Sequence, residues 1–594
     1  MHVASLSIEN FRGIRRGALR FKQHPILVGS NNSGKTTVIE ALALLLGRDR
    51  LIRELTEHDF YGSNPQPADR IKLIATITGF VGDDPDQNLD WFRENRAVPK
   101  WLDEATWQIH PNRDDPQWKL CCQIAVQAYF DTDSLSVETI RYFHDHDNPV
   151  DPFVEDAVVA VPGKLINQLG FYLVRASRTW DKVLSWGSEL FRRTIHAASA
   201  QPSAAVLAER DRLRQPDDPI EEDPQLAPLI SRVNAEIARY LPNAPQVQLR
   251  VTNTDSRSVM DAVSAHFALN GALGIPSGRQ GSGLVSLQGL LLLMGLGQAR
   301  AAAGDGFVMT LEEPELHLPP ASQLQLVQRV QALSTQTITT THSPAIAATA
   351  DPSAIQIIRN VGGQLHAAPL LEQPMPAATP NWKRKFFHFS RAQVIEALMY
   401  PTVLIPEGRS EHQLLRTLLR ALMFRQGWTT GPGPHFGLEV GVPPTEDAQV
   451  VSVFQHLEKV HGRVCCLVDG DAAGIGYANS LHALTSRPAA IIRWCNGWEL
   501  ENAIGWIVEA DPVAALASIQ GVVPIPTDPA ALIARLLAGK TDFVLQEAVA
   551  QAIAGNDLCA ARAHELFQGL ANACLGQATP RFAADANNVL IFHP

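Results

Sequence analysis

Carboxylate side chains follow two apolar segments in the last third of the chain. Residues 403–406 read Val-Leu-Ile-Pro and lead into Glu407, and residues 464–468 read Val-Cys-Cys-Leu-Val and lead into Asp469 and Asp471. These segments predict buried strands, and parallel strands present their carboxyl ends at one edge of a sheet. Asp469 and Asp471 stand at i and i+2, so both side chains should point the same way. Carboxylates this close repel one another unless divalent cations neutralise them, which predicts a metal site. Glu411, Glu499 and Glu501 add acids near the same edge.

A phosphate-binding loop is predicted near the N-terminus. Residues 29–36 read Gly-Ser-Asn-Asn-Ser-Gly-Lys-Thr, after a buried-strand pattern and before a helical pattern that ends at residue 46. In such a loop the backbone N–H groups face the phosphates, the lysine reaches the β- and γ-phosphates, and the threonine hydroxyl binds Mg²⁺. The alternative is a glycine-rich turn that caps a helix. The candidate nucleotide-binding residues are Gly29, Asn32, Gly34, Lys35, Thr36 and Thr37, and Thr36 is also a candidate metal ligand.

Three later segments supply four more residues that fit the same nucleotide site. An apolar segment from residue 307 ends in Glu312 and Glu313, which suit a Mg²⁺ ligand and a base that polarises the attacking water. A second strand-like segment ends in His342, beside the expected γ-phosphate position. Ser282, between two glycines, opens an apolar helix. Each residue alone is common in structural roles, and their order along the chain is what favours a nucleotide site.

This set of motifs resembles the ABC-type ATPases of the SMC-like and OLD (overcoming lysogenisation defect) group. In that group two ATPase heads enclose two nucleotides, and a signature serine of one head completes the site of the other. The resemblance implies that Lys35 and Thr36 form the Walker A motif, that Glu312 and Glu313 provide Walker B and the catalytic base, and that His342 is the switch histidine. The signature position is either Ser277 or Ser282, because neither surrounding sequence is the common Leu-Ser-Gly-Gly-Gln.

The C-terminal acids resemble the Toprim domain of topoisomerases, primases and OLD nucleases. The only tyrosines after residue 385 are Tyr400 and Tyr477, and no zinc-binding spacing is present, which favours the nuclease. The resemblance implies that Glu407 is a general acid/base or metal ligand, and that Asp469 and Asp471 bind metal. It further implies two divalent ions, Mg²⁺ or alternatively Mn²⁺ or Ca²⁺. The implied metal ligands are Glu407, Glu411, Asp469, Asp471 and Glu501. Lys540 is a candidate catalytic cation, with a surface lysine of no special role as the alternative.

Composition and charge limit the class of protein. The chain has 594 residues, of which 45% are hydrophobic and 19% are charged, and its net charge is −11. These values are typical of folded globular domains and argue against a protein that coats DNA through its overall charge. The seven cysteines lack disulfide or zinc-finger spacing, and no signal peptide pattern is visible, so we expect a cytoplasmic location and no membrane partner. The apolar run at 284–297 predicts a buried helix that is too short to span a bilayer.

The predicted fold class is α/β, with an N-terminal ABC-type (SMC-like) ATPase head, a helical dimerisation insert and a C-terminal Toprim α/β domain. The expected boundaries are 1–180 and 246–372 for the two parts of the ATPase, 181–245 for the insert, 373–384 for a Pro-rich linker and 385–594 for Toprim. This arrangement implies an ATP-binding and ATP-hydrolysing, metal-dependent DNA endonuclease in phage defence or DNA processing, whose ATPase dimer regulates cleavage or senses DNA. The expected partners are DNA, a second copy of the chain in a homodimer or higher even-numbered oligomer, and a superfamily 1 helicase. The alternative is an SMC-like DNA-binding or repair scaffold with a non-catalytic Toprim domain.

Overall fold

The computed structural model separates into two compact units. It describes residues 1–47, 54–93, 96–154, 157–175, 204–241, 243, 245–251, 253–255, 258–259, 266–268, 271–316, 320–425, 435–446, 448–524 and 528–594. The smaller unit contains Met1–His2 and Pro162–Thr337, and the larger unit contains Val3–Val161 and Ile338–Pro594. Of the predicted insert at 181–245, residues 181–203 lie outside the described part of the chain.

The strands are numbered in chain order. They are β1 (His2–Phe11), β2 (Ile14–Arg20), β3 (Ile26–Val28), β4 (Ile71–Thr78), β5 (Lys100–Asp103), β6 (Gln108–His110), β7 (Lys119–Asp131), β8 (Ser136–His144), β9 (Phe171–Val174), β10 (His266–Phe267), β11 (Ile275–Pro276), β12 (Val308–Glu312), β13 (Gln336–Thr341), β14 (Ile355–Val361), β15 (Gln364–Pro369), β16 (Thr402–Pro406), β17 (Val440–Gly441), β18 (Val464–Val468), β19 (Ile491–Arg493), β20 (Phe582–Ala584) and β21 (Leu590–Phe592).

The helices alternate with these strands through most of the chain. The α-helices are Lys35–Leu46, Leu89–Phe92, Gly163–Leu169, Ala204–Arg214, Ala227–Tyr240, Ser282–Ala302, Pro320–Leu333, Pro344–Ala347, Asn381–Arg384, Arg391–Leu398, Arg409–Met423, Phe436–Glu439, Val450–Leu457, Ala472–Ala483, Leu500–Val508, Pro512–Gln520, Pro529–Ala538, Phe543–Gly555 and Asp557–Leu575, and a π-helical turn covers Lys385–Phe389. Within the described helices, none combines the length and the apolar character that crossing a bilayer requires. With helices and strands interspersed along the sequence, the chain is a mixed α/β protein.

Two sheets form the larger unit. In the first, the strands follow the order β6-β5-β7-β4-β1-β2-β15-β14-β3-β13, and β3 lies between the parallel strands β13 and β14. The second sheet has the order β17-β16-β18-β19-β21-β20, and all of its neighbouring strands are parallel except β20 and β21. In the smaller unit β9 and β12 are parallel partners. Buried and largely apolar strands such as β3, β16 and β18 suit these central positions, because helices cover both faces of parallel sheets.

One hydrophobic cluster in the larger unit contains residues from both sides of the predicted linker. Ile26 of β3 and Ile357 of β14 belong to the same cluster as Phe387 and Val403. The Arg391 guanidinium also donates a 2.8 Å hydrogen bond from Nη1 to the carbonyl of Ala348. The ATPase-like strands and the C-terminal sheet therefore share a core, and the segment 373–384 includes the short helix Asn381–Arg384. The domain boundaries derived from the sequence remain predictions.

The strand and helix assignments that carry the motifs are confirmed, with one correction. The helix Lys35–Leu46 and the strands β16 and β18 lie where the apolar patterns predicted them. The buried helix predicted at 284–297 is present within Ser282–Ala302, but it is buried on only part of its surface. The helix Ser282–Ala302 buries Leu293 and Leu296 against Phe307, whereas Leu284 and Leu291 are exposed. Leu284 and Leu291 are seven residues apart and share one helix face, which is the more exposed side of this helix among its described side chains.

Candidate functional site

The parallel pairing of β16 and β18 brings two predicted acids together. Val403 pairs with Val464 and Pro406 with Leu467, so Glu407 and Asp469 leave the sheet at the same edge. The backbone N–H of Asp469 donates a 2.8 Å hydrogen bond to Oε2 of Glu407. This bond holds one carboxylate against the end of the neighbouring strand.

Burial makes this pair of acids unusual. Burial raises the pKa of Glu407 to about 7, and Asp471, Glu411 and Glu499 add repulsion. Burial also raises the pKa of Asp469 to about 9, together with repulsion from Glu411, Glu407 and Glu499. The Asp469 side chain is 6% exposed. Without an added positive charge, Asp469 is therefore protonated at neutral pH and Glu407 is about half protonated.

Two further predicted acids occupy the first turns of helices beside this pair. Glu411 lies in the first turn of the helix Arg409–Met423 and Glu501 in the first turn of the helix Leu500–Val508. Both are buried, and desolvation raises the pKa of Glu501. Oδ1 of Asp469 and Oε2 of Glu501 are buried atoms without a hydrogen-bond partner in the described structure. Negative side chains near a helix N-terminus are favoured by the helix dipole, which partly offsets their burial.

Lys540 lies at this cluster, and it is accompanied by an acid that the sequence analysis did not assign. The Lys540 ammonium donates a 2.5 Å hydrogen bond to Oε2 of Glu499, and Glu499, Glu501 and Glu411 raise the pKa of Lys540. Glu499 follows β19 by six residues, and its N–H donates to Oδ1 of Asn502 at 2.8 Å. Its position two residues before Glu501, after a strand-like segment, is the signal that placed it at this edge in the sequence, although no role was assigned to it there. We call Glu407, Glu411, Asp469, Glu499 and Glu501 the carboxylate cluster.

Asp471 lies in a different environment from Asp469. It is exposed, and its Oδ1 accepts a 2.7 Å hydrogen bond from the N–H of Gly474, which caps the helix Ala472–Ala483. Its charge still acts on Glu407. The expected common direction of the two aspartates thus holds only in part, because the chain turns into the helix immediately after Gly470.

The composition of the carboxylate cluster fits a divalent cation. Carboxylate oxygens are the ligands that Mg²⁺ and Ca²⁺ prefer, and buried oxygens without donors are satisfied by a cation. Among the described residues, one group of three acidic or histidine side chains has its ligand atoms within 4.8 Å of one another, namely Asp145, His146 and Asp147. There the Lys100 ammonium already binds Asp145 at 2.9 Å and also contacts Asp147. The carboxylate cluster is more widely spaced than that group.

The predicted phosphate-binding loop adopts backbone conformations and close contacts that favour glycine. Gly34 adopts φ 98° and Asn32 adopts φ 64°, both in the left-handed region. A Cβ atom on Gly29 would lie 2.3 Å from the carbonyl oxygen of Ile358, so no other residue fits there. The Lys35 ammonium donates to the carbonyls of Gly29 at 2.9 Å and Ser30 at 2.8 Å. The lysine is thus folded against the loop at the N-terminus of its helix, where a phosphate would compete with these carbonyls.

The remaining predicted nucleotide residues lie at strand ends. Thr341 pairs with Val28, so His342 is level with Gly29 at the same edge of the first sheet. Glu312 ends β12 in the smaller unit and is buried, and Glu313 follows with φ 46°. A left-handed glutamate is uncommon, and such strain is frequent at functional positions. Thr36 is exposed and Thr37 is half-buried, while the side chain of Ser282 lies outside the described part of the chain.

The fold and these sites define a mixed α/β protein with a phosphate-binding loop and a buried carboxylate cluster on a parallel sheet. The family model described as "Protein of unknown function (DUF2813)" matches residues 1–373. The chain belongs to this family.

Similar proteins include one curated sequence and several solved structures. The chain is 26% identical over 503 residues to the "Uncharacterized protein YbjD" of Escherichia coli (strain K12), covering 82% of each chain. An SMC head bound to the C-winged helix domain of ScpA is 12% identical with a TM-score of 0.33, over 62% of this chain and 99% of that one. The SMC head domain from Thermotoga maritima is also 12% identical, with a TM-score of 0.27 over the same shares. With scores this low, the interpretation as an ATPase head rests on the motifs.

Proposed function

We propose that this chain is an ATP-binding, metal-dependent DNA endonuclease that hydrolyses phosphodiester bonds at the carboxylate cluster, as the OLD nucleases do. The observation that carries the proposal is the burial of several acids together with Asp469. Within this group, Oδ1 of Asp469 and Oε2 of Glu501 have no hydrogen-bond partner in the described structure. Burying uncompensated carboxylates costs several kcal/mol per charge, on the order expected from desolvation. A protein has little reason to maintain such a cluster unless a cation or a reacting group uses it.

The proposed roles follow from the environment of each side chain. Asp469, Glu407 and Asp471 would hold one divalent cation, and Glu411 and Glu501 would hold or complete a second. A bound Mg²⁺ supplies Lewis acidity and lowers the pKa of water. Glu407, with a pKa of about 7, can exchange a proton near neutral pH. Lys540 would stabilise the additional negative charge that the phosphate develops during hydrolysis.

The proposed ATP site combines the phosphate-binding loop with residues of the following strands. Lys35 would move from the loop carbonyls to the β- and γ-phosphates, and Thr36 and Glu312 would hold Mg²⁺. Glu313 would polarise the attacking water and His342 would contact the γ-phosphate. The position of Lys35 at the N-terminus of a helix, with its ammonium bound to carbonyls of the loop, supports ATP binding.

A homodimer is part of this proposal. Exposed apolar side chains occur on two described helices of the smaller unit, Leu284 and Leu291 on one and Leu229 and Val233 on the other. On each helix the two exposed side chains are four or seven residues apart and therefore share a face, and such a face offers a surface to which a second copy of the chain could bind. DNA and a superfamily 1 helicase are the further proposed partners.

A plasmid-nicking assay tests the proposal. We expect supercoiled DNA to be nicked or linearised with Mg²⁺ or Mn²⁺, and we compare reactions with and without ATP. Asp469→Ala and Glu407→Ala should each abolish cleavage while ATP hydrolysis continues, because the changes remove cation ligands and leave the phosphate-binding loop intact. Cleavage that persists in EDTA would contradict the proposed mechanism.

The alternative function is an ATP-switched DNA-binding scaffold whose C-terminal sheet does not catalyse. The wide spacing of the carboxylate cluster and the ion pair between Lys540 and Glu499 favour it, because protonation and this pair leave little net charge without a metal. On this alternative the chain binds DNA in an ATP-dependent way, and Asp469→Ala does not alter any DNA product.

A further inference from the structure

An exposed aromatic ring belongs to a helical turn that also carries Lys385, and Arg409 binds the residue that follows this turn. Phe389 ends the π-helical turn Lys385–Phe389, and 86% of its side-chain surface is exposed. Burial of Phe386 and Phe387 in the hydrophobic core anchors this turn. Phe389 therefore belongs to a helical turn that is held by buried side chains. Isolated π-helical turns are rare and frequently occur at functional positions.

The cations of this surface are joined to the turn and to each other. The Arg409 guanidinium donates a 3.3 Å hydrogen bond to Oγ of Ser390, the residue after Phe389. Lys385 binds Oε2 of Glu446 at 3.0 Å, and Arg409 approaches Oε1 of the same carboxylate at 3.6 Å. Two positive charges thus share one negative charge, so Glu446 does not neutralise both cations. We call Lys385, Phe389 and Arg409 the basic–aromatic rim.

The basic–aromatic rim borders the proposed catalytic edge. Arg409 follows Glu407 by two residues, in the first turn of the helix whose Glu411 belongs to the carboxylate cluster. Glu446 follows β17, which runs parallel to β16, so it leaves the sheet at the same edge. Lys385 and Arg409 keep 42% and 55% of their side-chain surface exposed. A polyanion that reaches Glu407 can therefore contact both cations.

We propose that the basic–aromatic rim binds an unpaired segment of nucleic acid, with one base stacked on Phe389 and the adjoining phosphates held by Arg409 and Lys385. An aromatic face is available to a base only when that base is not enclosed in a duplex stack, whereas cations alone would bind duplex and single strand alike. This inference rests on the proposed function, and it specifies the substrate as a single strand, a flap or a frayed end. Glu446 would act as the competitor that the backbone phosphates displace.

Direct binding measurements in EDTA separate this inference from cleavage. Fluorescence anisotropy of a labelled single strand of about 16 nucleotides gives the affinity, and a blunt duplex of equal length serves for comparison. We expect tighter binding to the single strand, and Phe389→Ala should weaken it roughly 5- to 150-fold, the range for loss of one stacked base. Phe389→Trp should retain the wild-type affinity, because the ring is kept. Duplex binding should change little in either variant.

The chain offers matched controls for both kinds of contact. Phe424 is also 86% exposed, and it follows the far end of the helix Arg409–Met423, about 22 Å from Arg409 along the helix axis. Phe424→Ala should bind like the wild type. Arg409→Ala should lower the dependence of log K on log salt concentration by about 0.7, whereas Arg420→Ala, on the exposed side of the same helix, should not. Glu446→Gln should bind the single strand more tightly.

The outcomes distinguish the two proposals. Wild-type affinity in Phe389→Ala, or an equal loss in Phe424→Ala, would overturn the basic–aromatic rim even if the protein cleaves DNA. A change in oligomeric mass of Phe389→Ala by light scattering would identify the ring as a subunit contact and overturn it as well. Selective loss of single-strand binding without any cleavage by the wild type would retain the rim and reject the nuclease.

Discussion

Cation binding at the carboxylate cluster should release protons, in a number that falls as the pH rises. Burial raises the pKa of Glu407 to about 7 and that of Asp469 to about 9. Because a carboxyl group must be deprotonated to bind a cation, every proton held before binding is released. These two groups alone release about 1.9 protons at pH 6, about 1.5 at pH 7 and about 1.0 at pH 8. The raised pKa of Glu501 can only add to this number.

Isothermal titration calorimetry measures this quantity without catalysis. The nucleotide-free protein is titrated with Ca²⁺ in buffers of different ionisation enthalpy, and the slope of the observed heat against that enthalpy gives the proton number. Measurable binding with a proton number near zero at all three pH values would refute the reasoning, because it would mean that these acids are already ionised in the metal-free protein.

The stability of the Asp469→Asn variant, compared with the wild type in EDTA, tests the raised pKa of Asp469 without any metal. A carboxyl group whose pKa is higher in the folded than in the unfolded chain stabilises the fold at acidic pH, and this contribution is lost as the pH rises. Because the pKa of Asp469 is raised from its ordinary value of 3.8 to about 9, this stabilisation is lost between about pH 4 and pH 9. At pH 8 the wild type should therefore be less stable than Asp469→Asn, by at most about 6 kcal/mol. Asp471→Asn is the control, because Asp471 is exposed and asparagine also caps helices. Urea midpoints followed by tryptophan fluorescence report the order.

Three further predictions concern the catalytic assignments. Lys35→Ala should abolish ATP hydrolysis and leave metal-dependent cleavage of naked DNA, and loss of both activities in a folded dimer would show that the two sites are coupled. Glu313→Gln should bind ATP but fail to turn it over, which filter binding and phosphate release measure together, and normal turnover would remove Glu313 as the base. Lys540→Ala should slow cleavage roughly 10²- to 10³-fold by loss of a charge-stabilising group, and a wild-type rate would reject that role alone.

The sequence by itself determined the phosphate-binding loop and the strands β16 and β18, because each depends on a few consecutive residues. The glycines of the phosphate-binding loop could be recognised because their left-handed backbone is a property of a few consecutive residues, as the φ of 98° at Gly34 illustrates. The strands β16 and β18 could be located because buried parallel strands need an unbroken apolar run. Their parallel pairing then follows from an alternating order of strands and helices, and with it the common edge of Glu407 and Asp469.

Tertiary structure decided what depends on distant parts of the chain. The burial that raises the pKa of Asp469 comes from helices and strands packed around it, and no local pattern encodes the surface that packing removes from water. Glu499 joins Lys540 from 41 residues away because the folded chain brings two helical segments together. The exposure of Phe389 and Leu291 could not be predicted from the sequence either. An apolar residue is expected in the core, and only the tertiary structure shows whether neighbouring residues cover it.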